Sequence, residues 1–337
     1  MTRTALAPRF MGAGKIELVE RSVPEPGSGQ LLLRVRANAI CGSDRDQYYN
    51  GSEVIPGHEA VGTVEGAGPG TSTEIGTTGA VFLMDFCGQC RSCVLGLTNQ
   101  CLAKRADMGF THDGGFGPHE LVHETNFFPV PNDISPVEAT LLLDVMGTSG
   151  HAIRRGRLVR PDLESIYIAG AGPIGLGLLV VARLTLGEEI PIHITDLSPW
   201  RRRYAARLGG IPVDPGDAAA IEALPPSDIA FDSTGKQVAR QAALKALGQR
   251  GVLVCVGHGE TVTLDVSADL IAPERAVLGS EYFQFSELSS NLALLQANRD
   301  ALSAVITHTY PIEQLTDAFA AFLGGETGKV VVTQDSA

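Results

Sequence analysis

At 337 residues the chain is longer than a single hydrophobic core usually supports, so two domains sharing a crevice are expected. A formal net charge of −12 offers no basic face of the kind that nucleic acid or an anionic membrane surface requires. No stretch reaches the ~18 uninterrupted apolar residues of a membrane span, and the start MTRTALAPRFMGAG lacks a charged segment followed by a long apolar run, so a cytoplasmic protein is expected.

From Leu31 to about Leu142 the sequence reads as short strands and glycine-rich loops: QLLLRVRANAI, AVGTVEGAGPG, GAVFLMDF and GPHELVHETNFFPVP. The segment SPVEATLLLDVMGTSGHAIRRG reads as a helix passing from one domain to the next. From about Ile166, apolar strands alternate with helical stretches (SIYIAG, LGLLVVARLTLG, IHITD, RRRYAARLGG, DIAFDST, VARQAALKALG, RGVLVCVG), the pattern of a doubly wound parallel sheet. After Ile306 a helix and a strand are positioned to return to the first domain. The expected organisation is therefore residues 1–145, 146–306 and 307–337, with the last segment rejoining the first.

The chain has six cysteines, and Cys87, Cys90, Cys93 and Cys101 are separated by two, two and seven residues. Four thiolates on one short loop can close a tetrahedron around zinc, leaving no position for a substrate, and such a site is structural. Redox thiols or an iron–sulfur cluster share the cysteine count; a nucleic-acid zinc ribbon does not suit an acidic chain. Cys41 and His58 stand on loops at the ends of apolar strands and offer two more of zinc's preferred donors. Either alone is as readily structural.

The strand Ser165–Ala169 runs into Gly170-Ala-Gly172-Pro173-Ile174-Gly175 and then into a helical run. In a strand–turn–helix of this type the first glycine allows the tight turn, the second lets the backbone approach a pyrophosphate, and the third lets helix and strand pack closely. The phosphates sit at the helix N-terminus. Asp196, twenty-one residues after Gly175, ends the next strand, where an adenine ribose is expected, and Ser198-Pro199 read as N-cap and first helical residue. Arg201-Arg202-Arg203 follow, and Arg201 is assigned to the cofactor side. Cys255 reads as a buried strand residue, and Asp232 and Thr234 as a cofactor-side loop or a plain turn.

Taken in order, Cys41-Gly-Ser43-Asp44, Gly57-His58-Glu59, the four-cysteine loop and the glycine turn resemble the zinc-containing medium-chain dehydrogenases, which include alcohol, sorbitol, threonine and glucose dehydrogenases. The resemblance covers nearly the whole chain. It implies an α/β fold, with a Rossmann sheet beside a β-rich GroES-like catalytic domain. Two zinc ions per subunit are implied, one structural and one catalytic, together with a nicotinamide cofactor and a homodimer or homotetramer. Cys41 and His58 inherit the roles of catalytic metal ligands, and Glu59 that of a third or transient ligand. Asp144, seven residues before His151, takes a position held by cysteine or glutamate in relatives. Being one methylene shorter than glutamate, it would need a local shift or a water bridge, so the third ligand stays open between Glu59 and Asp144. Ser43 stands where relatives pass on the alcohol proton, and Asp46 where many have a relay histidine.

The activity implied is hydride transfer between an alcohol and NAD. Asp196 favours NAD because it would oppose a 2′-phosphate. The acidic residues Glu59, Asp144, Asp44 and Asp46 favour a polyol, sugar or cyclitol, amino-substituted ones included, over an apolar alcohol. Two other readings are a metal-free quinone or enoyl reductase of the same superfamily, which normally lacks both zinc motifs, and a zinc- and NAD-binding protein without turnover.

Overall fold

Short apolar runs broken by glycine fold the first third of the chain into antiparallel strands. The structure is a computed structural model and describes residues 3–334. Strands β1 (Thr4–Gly12) and β2 (Lys15–Ser22) form a hairpin. A separate seven-stranded sheet is built on β3 (Gln30–Ile40), with β4 (Ala60–Ala67) and β5 (Thr78–Val81) following in order. The short β6 (Met84–Asp85) and β7 (Ala106–Asp107) pair with each other and close the base of the four-cysteine lobe. β8 (His119–His123) pairs with β3, and β9 (Phe127–Pro129) with β5.

The segment from Pro136 to Val159 is not the single helix its sequence suggests. A capped turn, Pro136–Ala139, passes into a 3-10 turn, Thr140–Leu142. The backbone breaks at Leu143, with ψ −114°, and continues as a π-helical turn, Asp144–Thr148, before the regular helix Ser149–Val159. Gly147 lets the Phe283 ring pack against this turn, since a Cβ there would lie 2.3 Å from it. Wide turns of this kind re-aim side chains, and here the side chain re-aimed is Asp144.

The second sheet is fully parallel: β10 (Ile166–Ala169), β11 (Ile192–Thr195), β12 (Ile211–Val213), β13 (Ser227–Asp232), β14 (Leu247–Cys255) and β15 (Ala276–Gly279). Their spatial order is β12-β11-β10-β13-β14-β15. That order is the doubly wound dinucleotide arrangement, with ligands bound beyond the C-terminal strand ends. All four residues of β10 and of β11 are buried, as strands covered on both faces must be.

The chain then returns. β16 (Ile306–Pro311) and β17 (Lys329–Thr333) add to the first sheet, β17 lying antiparallel against β3. Between them, helix Leu315–Gly324 ends at Gly325, in the left-handed region at φ 78°. Phe319 of that helix packs on Phe10 and stacks on Tyr48 at 4.7 Å, which clamps the returning segment to the first domain. One continuous apolar cluster joins Val61, Phe82 and Val130 of the first domain to Leu141–Leu143, Ile168 and Phe231. Among the described residues no helix is long and apolar enough to cross a membrane.

Candidate active site

The end of β3, the loop before β4, the π-helical turn and β17 converge on one buried cluster. Cys41, His58, Glu59 and Asp144 each offer a ligand atom, and these atoms all lie within 4.8 Å of one another. Cys41 Sγ is 3.1 Å from Asp144 Oδ2, and His58 Nε2 is 3.7 Å from the same oxygen. The broken backbone at Leu143 thus brings the shorter aspartate to the donors directly, and Thr148 donates to its other oxygen at 3.2 Å. Glu59 also belongs to the set, with Oε2 buried and without a hydrogen-bond partner. A thiolate, an imidazole and two carboxylates at this spacing suit zinc.

Burial works against a charged His58, but the Asp44 carboxylate, with hydrogen bonds to Asp144 and Asp44, outweighs it and holds the imidazole well above its ordinary pKa. Burial alone would raise Asp144; hydrogen bonding to His58 and its charge bring the carboxyl below the usual range. Asp44 is itself fully buried. It accepts from the Cys41 amide at 2.9 Å and stands 3.2 Å from His58 Nδ1, so it fixes the ring whose other nitrogen faces the cluster.

This corrects part of the sequence reading. Asp44, read from the sequence as one of the acidic residues favouring a polyhydroxy substrate, is buried, with Oδ2 accepting from the Cys41 amide and Oδ1 within ion-pair distance of His58. Asp46 is not brought to the cluster: it lies on the exposed face of helix Asp44–Asn50 and accepts from Asn50 at 2.7 Å. Ser43 Oγ lies 3.5 Å from His58 Nε2.

Lys329 on β17 was not singled out from the sequence. Its ammonium contacts Glu59 Oε1, and both side chains are sealed from solvent. Burial opposes the lysine's charge, but Glu59, Cys41 and Asp144 outweigh it and raise its pKa. A lone lysine inside the apolar run KVVVT was the available signal, since a charge in a covered strand requires a partner.

The four thiols of the second cluster meet on one loop: Cys90–Cys93 at 3.5 Å, Cys90–Cys101 at 3.9 Å and Cys87–Cys93 at 4.0 Å. Zinc–sulfur bonds near 2.3 Å in a tetrahedron set sulfurs about 3.8 Å apart, so the spacing fits a closed site. Backbone amides of Cys90 and Leu102 point at Cys87 and Cys90 sulfurs, at 3.3 and 3.4 Å. The amides of Cys93 and Leu102 bring the Cys90 thiol down to about 6, whereas burial and the neighbouring thiols push Cys93 up to about 12.

In the glycine turn, Gly170 has φ +94°. A Cβ on Gly175 would fall 1.9 Å from the Gly170 carbonyl oxygen, whereas one on Gly172 would meet nothing nearer than Arg201 at 3.7 Å. The turn is therefore closed at Gly175 and open to a ligand at Gly172, where Pro173 and Ile174 begin the helix Pro173–Leu186. Asp196 accepts from the Ala171 and Ser198 amides, both at 2.8 Å. Arg201 stands 4.0 Å from Asp196 and donates to the Thr327 carbonyl at 3.1 Å. Asp232 is buried against Arg240 at 2.8 Å and accepts from Thr234, which favours the plain-turn reading of that loop. Cys255 is half-buried, at the end of β14, and not a core residue.

Comparison with known proteins agrees with this layout. Residues 27–132 match the Alcohol dehydrogenase GroES-like domain and residues 173–297 match Zinc-binding dehydrogenase. An L-threonine 3-dehydrogenase of Deinococcus radiodurans is 30% identical, over 97% of this chain and 97% of its own. An L-galactonate-5-dehydrogenase of Escherichia coli is 28% identical over 89% of this chain and 90% of its own. The crystal structure of a protein from Sinorhizobium meliloti, assigned to the zinc-binding dehydrogenases and bound to NADP, superposes with a TM-score of 0.85 at 25% identity, covering 98% of this chain and all of that one.

Proposed function

This chain belongs to the zinc-containing medium-chain dehydrogenases, and from that premise we propose that it oxidises a secondary alcohol bearing further polar groups, a polyol, sugar or cyclitol, with NAD as hydride acceptor. The observation that carries this reading is the convergence of Cys41, His58, Glu59 and Asp144 within 4.8 Å. When bound there, zinc supplies Lewis acidity to the alcohol oxygen, and the nicotinamide takes the hydride.

The chain's own residues do the positioning. Cys41, His58 and one of the two carboxylates would hold the metal, while Asp44 and Thr148 orient His58 and Asp144. Ser43 Oγ, next to His58 and open to solvent, takes the substrate's hydroxyl proton and passes it outward, a path that bypasses Asp46. The glycine turn and Arg201 receive the pyrophosphate and adenine ribose, and Asp196 favours the ribose hydroxyls over a 2′-phosphate. The four-cysteine lobe would hold a second, structural zinc. Assembly into a homodimer or homotetramer and a cytoplasmic location complete the proposal.

The deciding experiment is metal analysis joined to an NAD-reduction screen over aliphatic alcohols, polyols, sugars and cyclitols. Close to two zinc per chain and turnover of at least one polyhydroxy compound are expected. Zinc and NAD binding with no alcohol oxidised would leave a binding protein.

A further inference from the structure

Helix Gln237–Lys245 lies between β13 and β14 in sequence and carries a buried arginine, Arg240. A guanidinium taken out of water must have its donors met, and three acceptors meet this one. Nε donates to Asp232 Oδ2 at 2.8 Å, Nη2 donates to the Gly257 carbonyl at 2.6 Å, and Nη1 donates to the Glu260 carbonyl. Asp232 ends β13, whereas Gly257 and Glu260 follow β14. One side chain therefore ties together the loops that leave two neighbouring parallel strands at their C-terminal ends, the side on which a doubly wound sheet binds its ligand.

The two loops touch along their backbones. The Val256 and Gly257 amides both donate to the Asp232 carbonyl at 2.9 Å. A Cβ on Gly235 would fall 1.9 Å from the His258 carbonyl oxygen, and one on Gly257 would fall 2.3 Å from the Gly235 amide nitrogen. The first loop also reaches the glycine turn. Ser233 Oγ donates to the Ala169 carbonyl at 2.9 Å, and a Cβ on Gly170 would lie 2.7 Å from both Ser233 Oγ and Thr234 Cγ2. Asp232 Oδ1 accepts from the Thr234 amide and hydroxyl, so these side chains are committed to the shape of the turn.

The strand order assigns these loops to one half of the crevice. β10 is flanked on one side by β11, after which comes Asp196, and on the other by β13, so the order reverses between β10 and β13. A dinucleotide lying across that reversal has its adenosine half over β10 and β11 and its nicotinamide half over β13 and β14. We infer that Arg240 is a positioning residue for the nicotinamide half of the cofactor, fixing the backbone of residues 256–258 against the turn after β13, where that ring is received. This inference rests on the dehydrogenase reading above and deepens it with a residue that acts through the two loops it holds.

The test measures NADH and ADP-ribose binding to the unmodified protein, Arg240→Lys and Arg240→Met by isothermal titration calorimetry. ADP-ribose has the adenosine, the pyrophosphate and the second ribose but no nicotinamide, so it reports on the rest of the crevice. Arg240→Met is expected to weaken NADH about ten- to hundredfold and ADP-ribose less than about threefold. Arg240→Lys keeps a charge for Asp232 but has no fork to span the two carbonyls, and its NADH loss should be intermediate. Arg240→Met combined with Asp232→Asn leaves no charge stranded and should show the same selective loss if the single variant does not fold. Equal losses for the two ligands, which a general loosening of the domain would produce, or no loss for either would overturn the role of Arg240 while leaving the dehydrogenase reading intact. An unmodified protein that binds neither ligand overturns that reading, and this inference with it.

Discussion

Lys329 and Glu59, 270 positions apart, form an ion pair that no water reaches, at the wall of the metal cluster. Removing one member strands the other's charge in the interior, which typically costs about 3–5 kcal/mol. Lys329→Met should therefore lower unfolding free energy in metal-free protein by that order. Lys329→Met with Glu59→Gln should recover most of the loss, because no charge is left alone. Denaturant titration of the two single variants and the double variant measures the coupling; additive losses would mean that the pair does not act as one unit.

The two metal clusters should separate cleanly in a stoichiometry experiment. Cys41→Ala or His58→Ala is expected to leave a folded chain with one zinc and no turnover. Cys90→Ala is expected to lose the other zinc and loosen the lobe that carries Thr98 and Asn99. Metal analysis and circular dichroism check both. Retention of two equivalents in Cys90→Ala would argue against a closed structural site.

Asp196 acts on the cofactor and on its own turn. Its oxygens hold the Ala171 and Ser198 amides, so Asp196→Ala should weaken NAD binding through a looser glycine turn as well as a lost ribose contact. Asp196→Asn keeps one oxygen for these amides and removes the charge. NADP efficiency relative to NAD is then expected to rise about tenfold, corresponding to ~1.4 kcal/mol of relieved repulsion. Steady-state kinetics with both cofactors decides it, and an unmodified enzyme that uses NADP as well as NAD would refute the assignment.

Glu120 on β8 predicts a pH effect on stability. It is buried, both its carboxylate oxygens lack partners, and burial with the Asp113 charge pushes its pKa up to about 8 from 4.5. The unfolded chain releases this proton near pH 4.5 and the folded one only near pH 8, so between those values the folded state binds more protons. Stability from this group therefore falls as pH rises from about 4.5 to 8. Glu120→Gln should flatten that slope, with a Tm about 2–6 °C higher than the unmodified protein at pH 8 and little difference at pH 5. A constant Tm difference across the range would count against it.

The sequence made most of this architecture legible because its motifs are local. Four cysteines within one loop, or three glycines between a strand and a helix, declare their geometry without tertiary information. What sequence missed was set by packing. Asp144 looked one methylene short, and only the backbone break at Leu143 lets it reach Cys41. Asp44 and Asp46 are two residues apart on one short helix, yet one is fully buried behind His58 and the other faces solvent. Lys329 arrives from a distant strand, and no spacing rule links it to residue 41 or 58.

The antiparallel pairing of β17 with β3 has a consequence for biosynthesis. Ile40 of β3 lies opposite Val330, so that edge of β3 stays open until residues 329–333 have been made. The nucleotide domain, contiguous in sequence, can fold first, while the metal cluster waits for its lysine. Such long-range pairing slows folding. Removing β17 would thus take away the wall behind Glu59 and damage the first domain.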